Sequence, residues 1–188
     1  MRRTAAPVAA LAALGVAGCG GGARQDAAEP ARTYRVAIVR ASFPASQRLA
    51  APARLVVEVR NTGKATMPHV AVTVDSFSAR SDRPDLADAE RPVWVIDRPP
   101  AGSTTAYTNT WALGPMRAGQ TKRFVWRVTP VVTGTHRVRF RVAAGLAGRA
   151  KAVLSGDRVP EGEFTVRISS RPPRARVDPE TGAVVHGG

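Results

Sequence analysis

Cysteine is almost absent from this sequence of 188 residues: one occurs, at position 19. A lone cysteine cannot form a disulfide within the chain, so a disulfide framework is excluded. Histidine occurs three times, and neither an HExxH nor a GxSxG motif is present. Because such motifs supply the ligands or nucleophiles of many hydrolases, we predict a protein that is not an enzyme, with no catalytic residue, no metal and no cofactor.

Lysine is also scarce. Of the 28 basic residues 25 are arginine and 3 are lysine, and the formal net charge is +14. Such a charge usually indicates a nucleic acid, a membrane or an acidic polymer as partner. Here arginine accompanies abundant alanine, valine, glycine and proline, which is typical of a GC-rich genome, and no nucleic-acid-binding motif is recognisable. The sequence therefore predicts no nucleic-acid partner.

The N-terminal segment has the layout of an export signal. Its first three residues, MRR, carry positive charge, and the apolar run at 4–17 is shorter than the roughly 20 residues that a membrane-spanning helix needs. The residues VAGC at 16–19 resemble the lipobox of bacterial lipoproteins. This resemblance implies cleavage between Gly18 and Cys19 and acylation of the Cys19 thiol, as in other lipoproteins that carry diacylglyceryl and palmitate chains. The alternative is an ordinary signal peptide with a chance cysteine.

Four segments follow from these patterns. We expect a signal peptide at 1–18, an acylated Cys19 with a flexible tether at 19–32, one folded domain at 33–170 and a disordered tail at 171–188. An acylated Cys19 would anchor the domain in the cell membrane, facing the outside of the cytoplasmic membrane, or in an outer membrane where one exists.

The domain shows alternating rather than helical periodicity. Six segments alternate apolar and polar residues with a period of two, which is typical of half-buried strands: 33–40, 53–60, 69–75, 122–129, 135–143 and 163–169. Two weaker candidates lie at 93–98 and 109–114. Strands with one apolar face each bury it by packing two sheets together. The sequence thus predicts an all-β, immunoglobulin-like antiparallel β-sandwich of about seven strands, with a small closed barrel as the alternative.

Two stretches resemble a known family. The strand–NTG–strand segment LVVEVRNTGKATMPHVAVTV at 55–74 and the segment at 113–145 are similar to the cell-adhesion-related domain found in bacteria. The likeness covers roughly 53–75 and 109–145, and the polar insertion at 76–92 departs from it. The resemblance implies an extracellular, non-enzymatic adhesive or spacer module.

One face of the predicted sandwich is rich in arginine. Because Val138, Phe140 and Val142 alternate inward, the side chains between them point outward. The outward set is completed from the last strand, which is adjacent in an immunoglobulin-like topology: Arg137, Arg139, Arg141 and Arg167. Such a face suits an envelope protein or an acidic wall polymer, whereas the alternative is a merely solvated surface.

Three further candidates are weaker. The acidic segment between Asp75 and Asp97 includes SDRPDLADAE at 81–90, whose Asp82, Asp85 and Asp88 offer oxygen ligands to calcium without matching an EF-hand. Two strand-end histidines, His69 and His136, could approach each other as a metal pair. Three aromatic residues could line a ligand groove rather than fill the core: Trp94, Trp111 and Tyr107.

These features favour a lipid-anchored cell-envelope protein with a non-enzymatic binding or scaffolding domain. The alternative function is a lipoprotein that binds a small ligand or a carbohydrate, which the aromatic groove would support.

Overall fold

The structure, a computed structural model, describes residues 29–77, 92–171, 175–182 and 184–186, with backbone alone at 175–176 and 184–186. These residues form thirteen strands in chain order: β1 (Thr33–Ser42), β2 (Ser46–Arg48), β3 (Ala53–Asn61), β4 (Ala71–Thr73), β5 (Trp94–Arg98), β6 (Thr104–Tyr107), β7 (Thr110–Ala112), β8 (Thr121–Pro130), β9 (Gly134–Ala143), β10 (Lys151–Val153), β11 (Glu161–Ser169), β12 (Ala175–Val177) and β13 (Val184–His186). The described helical structure is one 3₁₀ turn, Asp75–Phe77.

Two sheets form the body of the domain. The first has five strands in the order β10-β1-β3-β8-β5, and the second has six in the order β2-β11-β9-β4-β7-β6. Their inner faces share one hydrophobic core. The expected β-sandwich is therefore confirmed, and all six strong strand candidates and both weak ones contain a strand.

The strand count and pairing differ from the expectation of about seven antiparallel strands. Eleven strands belong to the two sheets, because β2, β4, β7 and β10 are short pieces of three residues each. Two edge pairings are parallel, β1 with β10 and β2 with β11. Residues 43–45 carry the chain from β1 in the first sheet to β2 in the second.

The core consists of the side chains that alternation places inside. Leu55, Val57 and Val59 of β3 are fully buried, as are Phe124 and Trp126 of β8. Each such side chain contributes about 1.5–3 kcal/mol on burial, so the alternating phase of these strands is fixed by the core. A bulge in β1, between Ile38 and Arg40, interrupts the phase and leaves Val39 exposed.

Asn61 ends β3 inside the protein, although its sequence context, NTGK, is typical of an exposed turn. It is fully buried. Its Nδ2 donates hydrogen bonds to the carbonyl oxygens of Ala65 at 2.9 Å and Met116 at 3.0 Å. Its Oδ1 accepts a bond of 3.0 Å from the Gly63 N–H. A single side-chain amide thus joins the turn after β3 to the loop before β8.

Described structure extends into both segments that flank the expected domain at 33–170. Glu29, inside the expected tether at 19–32, is buried, and its carboxylate accepts hydrogen bonds from the N–H groups of Leu146 (2.5 Å) and Ala147 (3.0 Å). Gly145 permits this contact, because a Cβ there would overlap the Glu29 carboxylate. In the expected disordered tail, β12 and β13 pair as a hairpin. Within the ranges that the structure describes, no helix is long and apolar enough to cross a membrane.

Candidate functional site

The sheet face that carries Arg137, Arg139, Arg141 and Arg167, which we call the β9–β11 face, is built by the register of two neighbouring antiparallel strands. Arg139 lies opposite Glu163 and Arg141 opposite Glu161, while Arg137 lies opposite Thr165. Arg167 lies opposite Thr135, at the other end of the same ladder. All four arginines are exposed. The structure thus brings the four predicted residues onto one sheet face.

Two glutamates accompany the four arginines. Arg139 Nε lies 2.6 Å from Glu163 Oε2, Arg137 Nε lies 3.7 Å from Glu163 Oε1, and Arg141 Nε lies 3.6 Å from Glu161 Oε2. The hydrogen bond from Arg139 holds the pKa of Glu163 below its usual value and raises the pKa of Arg139 in turn. These pairs are exposed, so each contributes little to stability.

A shallow groove crosses this face. Its volume is about 470 Å³. Phe140 and Gly162 line it together with charged residues of both signs: Asp75, Arg139, Arg141, Glu161 and Glu163. Gly162 is required here because a Cβ at this position would meet the Phe140 ring at 2.5 Å. The groove is therefore polar and open.

The two candidate metal-binding histidines are far apart. The His69 N–H bonds the carbonyl of Ala144 at one end of β9, whereas His136 lies eight residues back along that strand. At a rise of about 3.3 Å per residue the two are about 26 Å apart, so they cannot share a metal ion. His136 packs edge-on against Trp94, with ring centroids 5.6 Å apart. The described residues contain no group of three or more potential metal ligands.

The predicted aromatic groove is not formed by its tryptophans. Trp94 is 1% exposed and Trp111 5% exposed, and both belong to the core. Trp94 donates its indole N–H to Gln47 Oε1 at 2.9 Å, which ties β5 in the first sheet to β2 in the second. Trp111 packs on Trp126, with ring centroids 5.5 Å apart. Of the set only Tyr107 is exposed. The proposed calcium ligands Asp82, Asp85 and Asp88 lie outside the described residues.

Sequence reasoning missed a second group of arginines, on the outer face of the first sheet. Arg54 of β3 lies directly opposite Arg127 of β8, which in turn lies opposite Arg98 of β5. All three are exposed, and we call them the arginine row. Alternation gives the outward phase of Arg54 and Arg127. Alternation does not predict the outward direction of Arg98, because a bulge between Ile96 and Arg98 shifts the register.

Solved structures resemble the chain weakly. A crystal structure of the CARDB domain of a Pyrococcus furiosus protein, in complex with di-metal ions, has a TM-score of 0.43 at 13% identity over 74% of this chain and 93% of that one. Its solution NMR structure has a TM-score of 0.42 at 14% identity, over 74% of this chain and 94% of that chain. A native α2-macroglobulin fragment from Escherichia coli, from domain MG7 to the C-terminus, has a TM-score of 0.43 at 12% identity over 80% of this chain and 21% of the fragment.

No protein-family model matches the sequence, and no curated protein matches it. The assignment of the fold therefore rests on the strand pairing and shared core of this chain itself.

Proposed function

We propose that this protein is a lipid-anchored component of the cell envelope whose β-sandwich is a non-enzymatic binding or scaffolding module. The observation that carries the proposal is the β9–β11 face, an exposed sheet surface with four arginines and two glutamates. Guanidinium groups bind carboxylates and phosphates through paired N–H donors. The partner on this face is accordingly an acidic envelope protein or an acidic wall polymer.

Anchoring is supported by the N-terminal sequence. The MRR head, the apolar run and VAGC at 16–19 occur in the order of a lipoprotein signal. Acyl chains contribute about 0.8 kcal/mol per buried methylene, so two or more hold a protein on a membrane durably. In this arrangement Cys19 is the attachment point, and the folded body begins ten residues later, at Glu29.

The ion pairs explain how the face would select a partner. Arg137 and Arg139 share Glu163, and Arg167 opposes the neutral Thr135, so the surface keeps an excess of positive charge. An acidic ligand would replace Glu163 at guanidinium groups that are already oriented. Recognition of a small ligand or carbohydrate by Trp94 and Trp111 is not favoured, because both side chains are buried in the core.

Crosslinking in intact cells tests the proposal. Cells would express the tagged full chain or its Cys19→Ala variant, and captured neighbours would be identified by mass spectrometry. We expect the wild type in the membrane fraction with a recurrent acidic neighbour, and Cys19→Ala released from the membrane. Equal membrane retention of both forms would contradict anchoring through Cys19.

The face itself is tested in the full chain with Cys19 intact, the form from which capture of the neighbour is expected. Replacing Arg137, Arg139 and Arg141 with glutamate should abolish crosslinking to the neighbour. A matched control makes the same charge change on the first sheet, at Arg40, Arg60 and Arg123. Unchanged capture by the β9 variant, or equal loss in the control, would refute a specific role for the β9–β11 face.

A further inference from the structure

The outer face of the first sheet presents one row that contains charges of both signs and one row that is entirely basic. In the first, Glu58 of β3 lies between Arg40 of β1 and Arg123 of β8, and it pairs with Arg123 at 3.0 Å. The arginine row lies four residues further along the same strands, about 13 Å away. It has no acidic member. Across the described ranges, no ion pair or hydrogen bond involves the side chains of the arginine row.

The bulge in β5 creates this imbalance. Ile96 lies opposite Val128, and simple alternation would then place Asp97 opposite Arg127 and turn Arg98 toward the core. The bulge makes Asp97 the extra residue and aligns Arg98 with Arg127. Bulges commonly re-aim a side chain in this way. Asp97 instead accepts a hydrogen bond of 2.8 Å from the Thr129 hydroxyl. The backbone thus replaces an available Asp–Arg pairing with an Arg–Arg pairing, which is unfavourable for folding.

The three guanidinium groups share a groove of about 410 Å³ with apolar walls. Besides the arginine row it is lined by Pro52, Pro99, Ala101 and Val125. Neighbouring strands lie about 4.8 Å apart, so the three Cα atoms span about 10 Å and their flexible side chains can converge on one tetrahedral anion. A phosphate group offers more acceptor oxygens than a carboxylate, and planar guanidinium forks match it. We propose that the arginine row binds the phosphate group of a phosphate ester, whose organic part rests against the prolines.

The position of the row indicates that the ester comes from the aqueous side rather than from the membrane that would hold the chain. Val36 of β1 pairs with Asn61 at one end of β3, and the chain enters the sheet three residues before Val36, at Thr33. Arg54 lies seven residues from Asn61, toward the other end of β3. Thr33 and Arg54 are therefore about 33 Å apart along the strand direction. A phosphodiester polymer can reach this distal end.

Calorimetric titration of the purified full chain with a short linear polyphosphate tests the proposal. The test variant replaces Arg54, Arg98 and Arg127 with glutamine. The matched control replaces Arg40, Arg60 and Arg123 with glutamine, which removes the same charge from the same sheet face. Loss of one charged hydrogen bond weakens binding about tenfold. We therefore expect the affinity for polyphosphate to fall more than about a hundredfold in the test variant and less than about tenfold in the control. Poly-glutamate should bind the wild type more weakly than polyphosphate.

Equal losses in the test variant and the control, or tighter binding of poly-glutamate, would overturn the phosphate site. Binding to phosphatidylglycerol vesicles that depends on the arginine row, without polyphosphate binding, would assign the row to a membrane and also overturn the proposal.

Thermal unfolding adds an independent readout. Polyphosphate should raise the Tm of the wild type and leave that of the test variant unchanged, and the ligand-free test variant should not melt below the wild type. A lower Tm would show a structural role instead.

The phosphate site depends on neither the β9–β11 face nor Cys19, whereas the aqueous source of its ligand rests on the anchoring through Cys19 proposed above. The test variant should lose polyphosphate binding and still capture the envelope neighbour. The β9 variant should lose capture of the neighbour and still bind polyphosphate.

Discussion

Replacing Asn61 with alanine should destabilise the domain far more than its turn-like sequence context indicates. The change removes three hydrogen bonds, to Ala65, Met116 and Gly63. Two of these partners keep another bond, because the Met116 carbonyl also accepts from Met67 and the Gly63 N–H also donates to Arg35. An unsatisfied buried group costs about 1–3 kcal/mol. The Ala65 carbonyl loses its hydrogen bond, and the Met116 carbonyl and the Gly63 N–H each lose one of two bonds. We therefore expect a loss of about 3 kcal/mol in the free energy of unfolding.

Urea denaturation followed by tryptophan fluorescence measures this loss, since Trp94, Trp111 and Trp126 are all buried and report on the core. Asn61→Asp is a matched control: it keeps the acceptor for Gly63 and replaces the two donated bonds with repulsion between oxygens. It should cost at least as much as alanine at neutral pH. Thr62→Ala, at the exposed neighbouring position, should cost less than about 0.5 kcal/mol. A loss below about 1 kcal/mol for Asn61→Ala would refute the role of this amide.

Three further outcomes are expected. Gly145→Ala should displace the Glu29 carboxylate and speed limited proteolysis of the segment before the first strand, whereas unchanged protection would contradict the docking. Glu163→Gln should lower stability slightly at neutral pH, because Arg139 depresses the pKa of Glu163; the difference should be complete above about pH 4.5 and should disappear as pH falls through the lowered pKa, and a difference that persists in stronger acid would contradict it. Trp126→Phe should cost about 1–2 kcal/mol by chemical denaturation, since its indole N–H has no acceptor among the described residues; a larger loss would indicate a missing partner.

The alternating strands show how much of the fold was predictable. In β9 the inward Val138, Phe140 and Val142 and the outward arginines between them follow from a period of two, which the core enforces at every step. The expected immunoglobulin-like topology made β11 the neighbour of β9, whereas the outward direction of the arginines on each strand needed only the local pattern. Local pattern sufficed there because side-chain direction in a regular strand depends on the strand alone.

Features that depend on register or on distant chain segments were not predictable. The three short strands β2, β6 and β10 carry too few residues for a periodic signal, and their sheets are chosen by neighbours far along the chain. Asn61 reads as a turn residue because its partner Met116 is 55 positions away. The separation of the two histidines likewise follows only from where the loop before β4 meets the end of β9.

The sequence by itself determined the all-β class, the inward and outward phases of the long strands, and the expectation of a lipid anchor at Cys19. Only the tertiary structure decided which charges oppose one another. Glutamates stand opposite Arg139 and Arg141 on β9, whereas arginine stands opposite arginine between β3, β8 and β5. The physical reason is that cross-strand pairing is set by register, and a single bulge at Asp97 changes the neighbour of Arg127 without altering the apolar pattern that the sequence displays.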